Sequence, residues 1–174
     1  AYADRSEYLG DPDQVDVPVK GLTSKQYAAE LLKQIDVSKA RPASAIKPNN
    51  PIPYESNETT HYSVVDKAGN VVSTTYTINF SYGTGIVAAG TGILLNNEMD
   101  DFTTRPGEPN LYGLIQGLGN KVEPGKRPLS SMSPTIVTKD GKVEMVIGAP
   151  GGPRIISSTF QAIYRILVRG DDID

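Results

Sequence analysis

Asn57-Glu58-Thr59-Thr60-His61-Tyr62 marks a change of texture in the chain. Before it, residues 37–58 carry Pro42, Pro48, Pro51 and Pro53 among small and polar residues, the composition of a linker. After it, Tyr62-Ser63-Val64-Val65-Asp66 and the run from Val71 to Ile78 are rich in β-formers. Ala68-Gly69-Asn70 separates the two runs, so they read as a hairpin. Folding the hairpin back sets Thr77 roughly opposite Thr59 and Thr60, with its hydroxyl in reach of Thr59. Because side chains alternate along a strand, Thr75, Thr77 and Asn79 are expected on one face. A register slip of one residue would reverse that face.

On the N-terminal side, residues 1–21 are polar, with Gly10-Asp11-Pro12-Asp13 as a turn and Val15, Val17 and Val19 alternating. Thr23-Ser24-Lys25-Gln26 has the form of a capping box. Tyr27, Ala28, Leu31, Leu32 and Ile35 follow at helical spacing, which predicts a core-packing helix from about Ser24 to Ile35.

On the C-terminal side, Gly83-Thr84-Gly85 and Gly90-Thr91-Gly92 lack dinucleotide-loop spacing and read as turns. Residues 103–128, rich in Pro and Gly, read as one long loop, a feature that is usually functional or disordered. Lys126 after Gly125 does not make a phosphate loop, since Asn120 stands where a Gly is needed and no Ser or Thr follows the Lys. Thr135-Ile136-Val137-Thr138 and Val143 to Ile147 flank Asp140-Gly141, a strong hairpin signal. Pro153 and Gly170 bracket a helix whose apolar residues are Ile155, Ile156, Phe160, Ile163, Ile166 and Leu167.

Composition narrows the function classes. At 174 residues the chain can bury a real core, of order two-thirds of its unfolded surface. A net charge of -3 and the lack of a Lys/Arg cluster give no reason to expect nucleic acid. No apolar run approaches the roughly 20 residues of a membrane span. The lack of cysteine excludes disulfides and thiolate chemistry. The single His61 rules out a multi-histidine metal site within the chain. As the sole histidine, His61 would be the one possible base of a Ser-His-Asp type triad, but a structural role outweighs that reading.

Thr59-Thr60-His61, then Thr77 and Asn79, Asn97-Glu98-Met99-Asp100-Asp101, Ser130-Ser131 and Gly151-Gly152 follow one another in an order that resembles the γ-glutamyltranspeptidase family. The likeness covers nearly the whole chain. It implies an α+β fold, a partial αββα sandwich of the N-terminal nucleophile hydrolase type. Residues 1–36 would be the end of the large subunit, 37–58 a flexible linker before the cut, and 59–174 most of the small subunit. The family's proteins extend further on both sides, so the chain is read as an internal piece of a larger protein.

The resemblance also assigns roles. The Glu58–Thr59 bond would be cut by the protein itself, freeing Thr59 as the nucleophile. It places Asn79, Glu98 and Asp101 near a substrate ammonium and Ser130 and Ser131 near its carboxylate. Tyr112 would sit at the tip of a lid in the long loop. Glu98 stands where the family has Gln or Glu, and Pro153 where Ser or Thr is commoner. The arginine that grips the carboxylate belongs to the large subunit, outside this chain. No cofactor or metal is implied. The partners implied are a γ-glutamyl substrate, an amino-acid or peptide acceptor, and the rest of the large subunit as a heterodimer after cleavage. The compartment implied is periplasmic or secreted.

Chemistry gives independent reasons for part of this. A threonine hydroxyl needs an adjacent base. An N-terminal threonine supplies one in its α-amine, whose ordinary pKa of about 7.7–8 suits proton transfer near neutral pH. Gly151 and Gly152 lie between a strand and a helix, where N–H groups without side chains can meet an oxyanion at the positive end of the helix dipole. From position alone, a tight strand-to-helix turn explains the two glycines equally well. Two rivals stay open: a related acylase for glutaryl or cephalosporin side chains, which needs no ammonium partner, and a secreted binding domain whose linker is never cut.

Overall fold

The computed structural model describes residues 2–42 and 59–173. Glu58 and linker residues 43–58 lie outside the described residues. The described chain is a mixture of helix and sheet in two units, each drawn from separate stretches of sequence. One comprises residues 2–42 and 99–129, the other residues 59–98 and 130–173.

The second unit holds both predicted hairpins. β1 (Thr60–Val65) pairs antiparallel with β2 (Val71–Tyr76), in register from Thr60↔Tyr76 to Val65↔Val71. Their connection is tied by the Asp66 carboxylate, which accepts the backbone N–H groups of Ala68 at 2.9 Å and Asn70 at 2.8 Å, and the Asn70 side-chain amide at 2.7 Å. These donors, the Asn70 amide foremost, hold the Asp66 carboxyl below its ordinary pKa. β3 (Thr135–Lys139) and β4 (Lys142–Ile147) form the other hairpin. Asp140 at φ 50° and Gly141 at φ 76° are both left-handed, as a two-residue type I′ turn requires. The Ser73 hydroxyl donates to the Ile147 carbonyl at 3.2 Å, placing β2 alongside β4.

β4 runs into the Gly151–Gly152 turn and then α4 (Arg154–Tyr164), which continues as a wider turn over Arg165–Arg169. Pro153 sits at the N-cap and Gly170, at φ 74°, ends the helix, as their chemistry predicts. The Asp171 N–H closes on the Arg165 carbonyl at 3.0 Å. Ile155 and Thr159 face inward, whereas Phe160 and Tyr164 stack on each other and stay exposed.

In the first unit, α1 (Tyr2–Tyr8) and α2 (Val19–Leu22) precede α3 (Lys25–Leu32). Neither α1 nor α2 is expected from the sequence, and the alternating valines make no strand, since Val19 opens α2. The expected cap also moves by one residue. Ser24, not Thr23, caps α3 by accepting the Tyr27 N–H at 3.0 Å. Thr23 instead closes α2, its hydroxyl donating to the Val19 carbonyl at 2.7 Å. The Tyr27 hydroxyl reaches back to Asp4 at 2.9 Å, joining α3 to α1.

Residues 103–128 are organised despite having no strand. A single 3-10 turn, Leu118–Asn120, lies against α1, where the Gly117 N–H donates to the Ser6 carbonyl at 2.6 Å. Gly10 packs so closely on the Gly119 carbonyl that no larger residue fits there. Asp11, its side chain only 1% exposed, accepts the Arg127 backbone N–H at 2.9 Å and two bonds from the guanidinium. Arg127 thereby holds the Asp11 carboxyl far below the ordinary carboxylate range.

A carboxyl with a depressed folded-state pKa stabilises fully above its unfolded value and loses that contribution as pH falls through the folded one. Asp11→Asn in the full-length precursor should therefore melt earlier than the parent by a constant margin at neutral pH. That margin should shrink as pH drops below about 4, where the unfolded carboxyl takes up its proton. Melting curves of the two proteins over that range check it; a margin independent of pH would mean that the ion pair is not its source.

Candidate functional site

Thr59 lies immediately before β1 and is 9% exposed. Since Thr60 pairs with Tyr76, extending the register by one residue sets Thr59 opposite Thr77, the juxtaposition expected from the hairpin. The Thr77 hydroxyl accepts the Asn79 N–H at 2.9 Å. The strand alternation expected to include Asn79 stops short of it. β2 ends at Tyr76, and Asn79 has φ 76°, a left-handed conformation that Asn tolerates better than most residues. Asn79 is 3% exposed, and its side-chain amide donates to the Asn97 carbonyl at 3.1 Å. Asn97 also accepts the Phe80 N–H on its side chain at 3.1 Å and donates its own N–H to the Ile78 carbonyl at 3.2 Å. Asn97 is thus the clasp that turns the chain after β2 toward Glu98. Its side chain gave no sign of this in the sequence beyond lying beside Glu98.

His61 faces Thr75 across the hairpin, with its Nδ1 2.9 Å from the Thr75 hydroxyl and its Nε2 3.3 Å from that of Ser63. The imidazole fills the space where Gly148 would carry a side chain. These contacts suit the structural role expected of it.

The turn before α4 has an unusual backbone. Gly151 has φ 123° and Gly152 φ 52°. The first of these is a region that residues with a Cβ avoid. Pro153 brings no N–H to the turn, and the Arg154 N–H is used on the Gly151 carbonyl at 3.0 Å. The Gly151 and Gly152 N–H groups make no hydrogen bond among the described residues. This turn therefore offers a pair of donors at the start of a helix whose dipole favours negative charge. Gly151→Ala should cost about 1–3 kcal/mol of stability from the backbone strain alone. The melting midpoint of the full-length variant measures it, and an unchanged midpoint would mean that the turn relaxes at no cost.

Of the remaining predicted residues, Ser130, Ser131 and Glu98 belong to the second unit. Ser130 is exposed and its hydroxyl accepts the Met132 N–H at 3.1 Å, while the Ser131 carbonyl accepts the Ser133 hydroxyl at 3.0 Å. Glu98 opens a 3-10 turn, Glu98–Asp101, and its N–H donates to the Asn96 side chain at 3.0 Å.

Asp101 and Tyr112 are held in the first unit. The charge of Asp101 acts on the buried guanidinium of Arg5, whose pKa burial pushes down while Tyr2 and Asp101 oppose the shift. The Asp101 carbonyl accepts the side-chain amides of Asn120 at 2.7 Å and Gln116 at 3.0 Å. Tyr112, expected at the tip of a lid, is 8% exposed. It lies in a turn closed by the Asn110 side chain, which accepts the N–H groups of Tyr112 and Leu114 at 3.0 Å each.

Comparison with known proteins adds a second kind of finding. The family model described as Gamma-glutamyltranspeptidase matches residues 1–174. The glutathione hydrolase proenzyme of Escherichia coli strain K12 is 63% identical over 170 residues, covering 98% of this chain and 29% of that protein. The glutathione hydrolase proenzyme of Pseudomonas aeruginosa is 48% identical over 165 residues, covering 95% of this chain and 29% of that protein. The chain thus spans under a third of the length of these curated relatives. Among solved structures, a mutant of Helicobacter pylori γ-glutamyltranspeptidase superposes with a TM-score of 0.63 at 57% identity, covering 66% of this chain and 62% of that one. The Pseudomonas nitroreducens γ-glutamyltranspeptidase complexed with L-DON gives 0.63 at 52% identity, covering 66% and 59%.

Proposed function

The chain belongs to the γ-glutamyltranspeptidase family, and from that premise we propose that it carries the nucleophile and much of the site of a γ-glutamyl transferase and glutathione hydrolase. The observation that carries this reading is the hairpin register, which sets Thr59 at the mouth of β1 opposite Thr77. The Gly151–Gly152 turn in the same unit supports it by supplying donors suited to an oxyanion.

In this reading the precursor cuts its own Glu58–Thr59 bond, freeing the Thr59 α-amine. That amine takes the proton of the Thr59 hydroxyl as the oxygen attacks the γ-carbonyl of glutathione or a related compound. The Gly151 and Gly152 N–H groups hold the resulting oxyanion. Collapse expels the amine of the leaving group, with the proton returned to it, and leaves a γ-glutamyl ester on Thr59. An amino acid, a peptide or water then attacks the ester and regenerates the hydroxyl. Asp101, Glu98 and Asn79 face the substrate ammonium, Ser130 and Ser131 its carboxylate, and Thr77 orients the nucleophile. The loop around Tyr112 closes over the substrate.

The finer fold we propose is the αββα sandwich, completed by the rest of the large subunit. Tyr62, Val64, Val72 and Ile136 on the strands are exposed within this chain, as are Phe160 and Val168 on the last helix. A layered domain buries such faces against another layer. A periplasmic or secreted location belongs to the same proposal and rests on family likeness.

The test is to compare γ-glutamyl and glutaryl anilides as substrates of the cleaved full-length protein. The γ-glutamyl compound should be turned over faster by about 30-fold or more, because a buried carboxylate facing an ammonium is worth roughly 2–5 kcal/mol. Equal rates would favour an acylase, and a chain that never splits and turns over neither would favour a binding domain.

A further inference from the structure

We propose that Asn120 is a positioning residue for the substrate ammonium, acting through Asp101; this rests on the reading of Asp101 given above. Asn120 is fully enclosed, at 0% exposure, although it lies in a stretch rich in Gly and Pro. Its amide nitrogen donates to the Asp101 carbonyl at 2.7 Å and to the Gln116 side-chain oxygen at 2.9 Å. Its amide oxygen accepts the Leu129 N–H at 2.9 Å. Its backbone N–H donates to the Gly117 carbonyl at 3.2 Å, and its carbonyl accepts the Thr103 N–H at 2.8 Å. Every polar atom of the residue is committed, so it has one orientation and the amide assignment follows from the network.

What the network grips is a backbone carbonyl. Gln116 adds its own donor to the same Asp101 oxygen at 3.0 Å. A carbonyl held from two sides fixes the peptide plane after Asp101, and with it the direction in which the Asp101 side chain leaves the backbone. A carboxylate meant to meet an ammonium gains most from such fixing, since a small misplacement weakens a charge-assisted bond disproportionately. The same amide also anchors Leu129, the residue immediately before Ser130 and Ser131. One buried side chain therefore ties the chain at Asp101 and at Leu129.

The experiment uses the full-length precursor with γ-glutamyl p-nitroanilide as donor, and follows self-cleavage, KM and kcat together. Asn120→Ala should complete its cleavage and raise KM about tenfold, the scale of one buried hydrogen bond to a carbonyl, while kcat stays within about threefold. Gln116→Met keeps the shape and removes both the second donor to the Asp101 carbonyl and the oxygen that receives the Asn120 amide; it should raise KM by about threefold or more, and it stands in if Asn120→Ala fails to fold. A residue serving only the fold would lower melting temperature, cleavage and kcat together with no rise in KM, and that result overturns the proposal. Asp101→Asn is measured beside them. If it raises KM while neither network variant does, the positioning role falls and the substrate contact stands. If it leaves KM unchanged, the contact is wrong and the proposal falls with it.

Discussion

Replacing Thr59 with alanine in the full-length precursor should leave a single uncut chain without γ-glutamyl turnover. Thr59 is the one residue that this reading asks to serve twice, first in splitting the Glu58–Thr59 bond and then as nucleophile and base in each turnover. Alanine removes the hydroxyl needed for both. Loss of a hydrolase nucleophile costs on the order of a millionfold in kcat, which here means activity at background. Thr59→Ser keeps an oxygen on the same Cβ and should retain part of both steps, its extra rotamer freedom lowering each. Intact mass before and after incubation reads the cut, and anilide release reads turnover. Thr59→Ala that still turned over the anilide would refute the nucleophile assignment. Parent protein with a mass unchanged after incubation would refute self-cleavage.

Asp101→Asn has the next largest expected effect. The substitution is nearly isosteric, so what it removes is charge. An ammonium that loses a desolvated carboxylate partner costs roughly 2–5 kcal/mol, a fall of about 30- to 4,000-fold in kcat/KM. The neighbouring Arg5 needs a control, because the charge of Asp101 also counters that buried guanidinium. Some loss of stability is therefore expected from Asp101→Asn, and melting must be measured on the same samples. A substrate contact predicts the kinetic loss well below the melting range. Unchanged kinetics would rule the contact out, whatever happened to stability.

The parts of the fold that the sequence made visible are those whose determinants are local. Asp140-Gly141 supplies the left-handed turn between two β-branched runs, so the strands around it follow from a short window. Pro153 and Gly170 do the same for the last helix. Thr59 could be placed opposite Thr77 by counting back around the first hairpin. What stayed hidden depends on distant partners. α1 has no cap signature of its own and lies against a turn more than a hundred residues later. Asn120 looks like one more polar loop residue until Asp101, Gln116, Thr103 and Leu129 are brought around it. The Ser24 cap was missed by one position because Thr23 and Ser24 are nearly equivalent in chemistry. The departure of Asn79 from the strand face depends on a clasp from Asn97, which strand alternation cannot foresee. The candidate site was legible through family likeness; the residues by themselves set Thr77 opposite Thr59 and the glycine pair between a strand and a helix, without giving either a role.

The first unit joins residues from before and after the proposed cut, with α1 and Asp11 on one side and Gly117, Asn120 and Arg127 on the other. Once the Glu58–Thr59 bond is gone, this unit would be a case of fragment complementation, two polypeptides completing one another without a covalent tether. An association that had been intramolecular would acquire a dissociation constant, because the effective concentration set by the linker is lost. The mature protein would then respond to dilution in a way that the precursor does not.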